Sequence, residues 1–89
     1  MKIHTSKAFK KYGVYQCLIA HDQNTHGEGA STIAIMLGLT TRQADAAINA
    51  WAAVLASCEV GDQVHGVGER FAVEQHGSRF TIRRLPSNT

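Results

Sequence analysis

The sequence predicts one α+β domain in which three helices are followed by a C-terminal β-hairpin. Three observations predict it. A dense apolar run follows Gly13, two helix signals stand on either side of Gly38, and alternation of apolar and polar residues begins at Arg70.

The chain has 89 residues, enough for one domain and not for two. Apolar residues make up 44% and charged residues 18%, a balance that fits a folded globule rather than a disordered chain. Residues 1–11 carry Lys2, Lys7, Lys10 and Lys11 without an acid. They read as a basic N-terminal arm or the run-in to a helix, with Ser6 placed to cap an early turn. From Gly13 to about Gln23, residues Val14, Tyr15, Cys17, Leu18 and Ile19 suit a buried first helix, with a strand as the alternative. Asn24 to Gly29 mixes turn formers with two glycines and reads as a loop.

Ser31 is placed to cap a second helix that ends at Gly38, where glycine adopts a left-handed conformation without steric cost. Thr40-Thr41-Arg42-Gln43 matches a capping box, so a third helix begins near Thr41. No helix breaker follows until Gly61. Ala44, Ile48, Trp51, Leu55 and Cys58 form its apolar stripe, widened by Ala47 and Val54.

Gly61-Asp62 is a turn signal, and Gly66 and Gly68 around Val67 predict an irregular or bulged strand. If His76-Gly77 is a two-residue turn, the hairpin register follows. Val73 then faces Phe80 and Phe71 faces Ile82 on an apolar face, while Glu74 faces Arg79 and Arg70 meets Arg83 on the other. Two arginines so placed suit a phosphate between them. The expected organisation is a basic arm at 1–11, a domain at 12–85 and a frayed tail at 86–89.

The segment from Ala30 to Ile48 has what two closely crossing helices need. Ala34 is the small residue, Gly38 the turn glycine, and Ile33, Leu37, Leu39, Ala44 and Ala47 the inward positions. This pattern resembles the helix-turn-helix family. With the hairpin added, residues Tyr12 to Leu85 resemble a winged helix-turn-helix domain, whose recognition helix would begin near Thr41 and whose wing would be the hairpin around His76-Gly77. A plain helical hairpin inside a helical domain is the structural alternative. The Tyr15 to Ala20 and Cys58-Glu59-Val60 segments are also similar to the enterobacterial CaiF/GrlA regulators of carnitine metabolism and virulence. Residues Leu39 to Phe71 resemble the front of the HU/IHF nucleoid proteins, in Leu-Thr, an alanine-rich helix, Gly61-Asp62-Gln63-Val64 and the Gly66-x-Gly68 pair. The chain departs from that family in a longer step from Gly68 to Phe71, a shorter hairpin, no terminal helix, and 30 leading residues.

The winged-helix resemblance implies double-stranded DNA as the partner. Thr40 and Thr41 would meet phosphate or a base edge, Arg42 guanine and Gln43 adenine. Asp45 would accept from cytosine or orient Arg42, and Asn49 shares its exposed side. Arg70, Arg79 and Arg83 from the wing, and Lys10 and Lys11 from the arm, would hold the backbone. Thr40 and Gln43 face a conflict, since their capping roles turn them inward. A homodimer on a two-fold site is expected, because one small module buries little DNA surface. A single arginine and several alanines on the exposed side of that helix leave open a protein partner instead. The chain would then be an interaction module or an accessory protein of a phage or mobile element.

The formal charge of +2 is far below that of strongly basic nucleic-acid binders, but lysines gather at one end and arginines at the other, two basic ends that could clamp a phosphate backbone. Cys17 and Cys58 read as buried free thiols at helical apolar positions, not a disulfide framework. His4, His21, His26, His65 and His76 lack the spacing of a metal site. No nucleophile motif, paired carboxylates or phosphate loop is present, so no enzyme activity, cofactor or metal is expected. No run approaches the roughly 18 apolar residues of a membrane span, and the start lacks a secretion signal; a cytoplasmic protein with no membrane partner is expected.

Overall fold

The chain folds as an α+β unit of four helices and one four-stranded sheet. The computed structural model describes residues 1–86, so residues 87–89 of the expected tail lie outside the described residues. The elements are β1 (Ile3–His4), α1 (Lys7–Tyr12), α2 (Val14–Thr25), α3 (Ala30–Leu37), α4 (Thr41–Leu55), β2 (Gln63–Gly66), β3 (Glu69–His76) and β4 (Arg79–Arg84). None of these helices is long and apolar enough to cross a membrane.

The expected α+β class is found, with one helix and two strands more than the sequence predicted. Of the extra pieces, β1 and α1 come from the first twelve residues, so 1–11 is not an arm, and β2 forms in the segment read as an irregular strand. Ala8 and Phe9 turn inward, 8% and 1% exposed, while Lys7 before them and Lys10 and Lys11 after them face outward. Ser6 caps this first helix, accepting from the Ala8 N–H at 3.2 Å. Six residues are less than two helical turns, too few for periodicity to register in the sequence.

Gly13, at φ +90, separates α1 from α2. It has no side chain with which to cap α2. That role passes to the sheet, where Glu69 Oε1 accepts the Val14 N–H at 3.0 Å. Gly66 makes room for this reach, since a Cβ there would stand 2.6 Å from the same oxygen. α2 continues two residues past its expected end, into the predicted loop. Its last turn is held by Thr25 Oγ1, which donates to the Asp22 carbonyl at 2.7 Å.

Gly29, not Ser31, precedes α3. Gly38 ends it in the left-handed region, and the Thr40–Gln43 capping box starts α4, both as the sequence predicts. Ala44, Ile48 and Trp51 are buried and Leu55 is half-buried, whereas Cys58 lies beyond the helix, which ends at Leu55. α4 packs mainly against α2 and α3. Phe9 meets Trp51 edge-on at 6.4 Å, joining α1 to α4, and Tyr15 meets Phe71 edge-on at 5.1 Å, joining α2 to the sheet.

The sheet order is β1-β2-β3-β4, with β1 parallel to β2 and an antiparallel meander after it. Gly66 and Gly68 do not mark a bulge. Gly66 pairs with Glu69 and closes a hairpin over Val67 and Gly68. The last hairpin turns at Gly77-Ser78, one residue later than predicted, with His76 opposite Arg79. The positive φ of +65 falls on Gly77 alone, the pattern of a type II′ turn with glycine first. Val73 therefore faces Ile82, Glu74 faces Thr81 and Gln75 faces Phe80. A slip of two leaves every side chain on its predicted face and changes only its neighbour.

Candidate nucleic-acid interface

The α3–α4 corner is built by three backbone features. Gly38 turns the chain at φ +69, and the Leu39 N–H donates to the Ala34 carbonyl at 2.8 Å. Thr40 Oγ1 then accepts the Gln43 N–H at 3.1 Å, while Gln43 Oε1 accepts the Thr40 N–H at 2.9 Å. The inward residues meet as expected: Ile33, Ala34, Ala44 and Ala47 are buried, and Leu37 and Leu39 half-buried.

The capping box decides which predicted contacts face outward. Thr40 and Gln43 use their side-chain oxygens on each other's backbone. Thr41, Arg42, Asp45 and Asn49 are exposed on α4, with Ala46 and Ala53 beside them. Ala44, Ala47, Ile48, Trp51 and Val54 are the buried side of the same helix. Among the described residues, Arg42 forms no ion pair.

The hairpin arginines are arranged differently. Arg79 pairs with Asp22 at 3.4 Å, Arg83 with Glu74 at 2.9 Å, and Arg84 with Glu69 at 3.4 Å. Arg84 also lies 5.1 Å over the Phe71 ring. Arg70 donates to the Pro86 carbonyl at 3.1 Å. It does not meet Arg83, which stands opposite Ala72, so the pair expected to share a phosphate is not formed. Lys10 and Lys11 are exposed in the last turn of α1, where their charge favours the helix terminus. The structure thus brings Thr41, Arg42, Asp45 and Asn49 onto one surface, while each hairpin arginine has an acceptor within the chain.

Asp62 is a residue whose role the sequence hid. It reads as half of a turn signal, yet it is 2% exposed. Its Oδ1 accepts the Lys2 N–H at 2.9 Å. Its Oδ2 meets His4 Nε2 at 2.9 Å and accepts the Glu59 N–H at 3.0 Å. The Lys2 N–H, then the His4 ring and the Glu59 N–H, hold this carboxyl well below the usual carboxylate range. Two of the three donors lie about 60 residues away in sequence, so no local signal could reveal them. Burial, with Glu69 nearby, pushes the Cys17 thiol up to about 11, and burial followed by Asp62 raises Cys58. Both thiols are free and stay protonated near neutral pH.

No family model, curated protein or solved structure significantly matches this chain.

Proposed function

We propose that this chain binds double-stranded DNA by placing the first half of α4 in the major groove, in the manner of a winged helix-turn-helix regulator. One observation carries the reading: Thr41, Arg42, Asp45 and Asn49 share one exposed face at the start of a helix whose other side is buried. Arg42 is suited to a bidentate contact with guanine, and Asn49 to adenine. Thr40 and Gln43 set the start of the helix and position that face. Lys10 and Lys11 are backbone contacts. Arg79 and Arg83 join them by exchanging an acidic partner for phosphate.

A second reading is an architectural DNA-binding protein of the HU/IHF kind. The order of α3, α4 and an antiparallel meander favours it. The two-residue turn at Gly77-Ser78 opposes it, since no long arm is left to embrace a duplex.

The test is fluorescence anisotropy with a randomised duplex pool and then with selected sites, over a salt series. The expected result is binding that weakens steeply with salt, followed by a selected site at which Arg42→Ala relaxes preference at one base pair. Uniform binding to every sequence would favour the architectural reading. No duplex binding at low salt would sink both.

A further inference from the structure

A groove of about 480 Å³ runs between α2, the second half of α4 and β4. Tyr15, Leu18, Trp51, Leu55, Phe80 and Ile82 line it as apolar wall and floor. Its fourth side is unusual. Ser78, Arg79, Phe80, Thr81 and Ile82 all border it, although neighbouring residues of a strand point to opposite faces. Four consecutive residues of β4, with Ser78 of the turn before them, border one groove where the strand turns its edge toward it. β4 is the last strand of the sheet.

The hydrogen-bond parity of β4 is fixed by its far end. The Leu85 N–H donates to the Arg70 carbonyl at 2.8 Å, which places Arg79, Thr81 and Arg83 in the pairs bonded to β3. Phe80, Ile82 and Arg84 therefore aim their N–H and C=O groups away from β3, and the first two border the groove. Among the described residues no backbone group answers them across strands. An open edge beside an apolar trough is the geometry in which an extended peptide adds a strand: main-chain bonds hold it, and alternate side chains drop into the trough.

Charge selects the occupant. Arg83 stands on the outer face beside that edge, 57% exposed, and Arg79, 75% exposed, reaches from the start of the strand to Asp22 at the rim of the groove. A guanidinium has five N–H donors, so its present pairing leaves capacity for another carboxylate. A second copy of β4 would instead set arginine against arginine, the arrangement by which edge strands resist self-association. We propose that the β4 edge is a docking site for an extended segment of a partner protein, with apolar residues facing the groove and acidic residues alternating with them. The site is separate from the exposed face of α4 and stands whether or not that face meets DNA, although it draws on the same Arg79 and Arg83 as the proposed backbone contacts.

The test uses the intact chain, isotope-labelled, titrated with the peptide acetyl-EVEFEVE-amide and observed by amide NMR. Two comparison peptides are acetyl-KVKFKVK-amide and the acidic peptide with alternate backbone nitrogens methylated. The expected result is that the acidic peptide shifts and protects the Phe80, Ile82 and Arg84 amides. The basic peptide, and N-methylation in the register that pairs, should each weaken binding at least about tenfold. Arg79→Glu should weaken the acidic peptide several-fold with an unchanged amide spectrum elsewhere. Equal binding of acidic and basic peptides, or insensitivity to N-methylation in both registers, overturns the proposal. So does the absence of binding at millimolar peptide, in which case the arginines serve to keep the edge unpaired. A shift to dimer without peptide would give the edge to a second copy and overturn it as well.

Discussion

The exposed face of α4 and the β3–β4 hairpin both carry arginine, and they use it differently. On the hairpin, Arg79, Arg83 and Arg84 each meet an acid, respectively Asp22, Glu74 and Glu69. On α4, Arg42 stands among alanines and small polar residues and has no ion pair among the described residues. The cause is geometric. Diagonal neighbours on adjacent strands lie about 7–8 Å apart, within reach of long side chains, so Arg83 finds Glu74 and Arg84 finds Glu69, while Arg79 reaches Asp22 on α2. On α4 the acid of the exposed face is Asp45, three residues from Arg42, and no ion pair joins the two. A count of basic residues by region would have ranked the hairpin first; subtracting internal acceptors reverses the order. The hairpin arginines must give up or share an acid within the chain before they meet a partner, whereas Arg42 need not.

If that division is right, stability should respond to the hairpin and binding to the helix. The largest effect is expected at Phe71, fully buried, edge-on to Tyr15 and covered by Arg84. Phe71→Ala should cost about 3–5 kcal/mol, a large share of the stability of a domain this size. Ala53→Ser on the exposed side of α4 should stay within about 0.5 kcal/mol. Chemical unfolding followed by Trp51 fluorescence measures both, and comparable losses would end the distinction. Asp62 extends the sheet side of the comparison to pH. Its folded pKa lies below the unfolded value of 3.8, so its contribution is present above that pH and lost as pH falls below it. The wild type should therefore lose stability below about pH 4 more steeply than Asp62→Asn, which starts lower and runs flatter. Parallel curves for the two would remove Asp62 from the account.

Binding should show the reverse pattern. Arg42→Ala and Asn49→Ala should each weaken a selected duplex by about 1–3 kcal/mol while leaving the unfolding midpoint in place. Thr40→Ala should instead lower stability by about 0.5–2 kcal/mol through the lost cap. Lys10→Gln and Lys11→Gln should each reduce the salt slope by about 1 without changing sequence preference. If the cap variant alters preference as Arg42→Ala does, Thr40 is reading the groove and not merely holding the helix.

What the sequence disclosed follows the same boundary between local and distant causes. Gly38, the Thr40–Gln43 capping box and the α4 stripe are set by residues within one or two turns, and each was legible. The hairpin was legible as to face, because alternation survives a slip of two, but its partners were not. Gly77 accepts a positive φ at either central position of a turn, so composition alone allowed His76-Gly77 and Gly77-Ser78 alike. β1 and α1 were missed because two and six residues give no period to count. The Lys2–His4–Asp62 cluster was missed because its members meet only after the chain has closed on itself. Among the candidate contacts, exposure of Thr41, Arg42, Asp45 and Asn49 followed from helical periodicity. Pairing of Arg79 with Asp22 required knowing that β4 lies beside α2.

The smallest predicted effect tests the hairpin arginines directly. Arg83→Ala should lower stability by roughly 0.2–1 kcal/mol at low salt and by almost nothing at high salt, as for an exposed ion pair. Glu74→Ala removes the same pair from the other side, but it leaves Arg83 without its acid. If the ion pair is what withholds Arg83 from phosphate, Glu74→Ala should slightly strengthen duplex binding at low salt, and Arg83→Ala should slightly weaken it. The double variant should return near the single Arg83→Ala value, since the gain requires the guanidinium. A loss on Arg83→Ala as large as that on Arg42→Ala would mean that the hairpin already grips the backbone in the wild type. The contrast between the two regions would then have to be given up in favour of a joint surface.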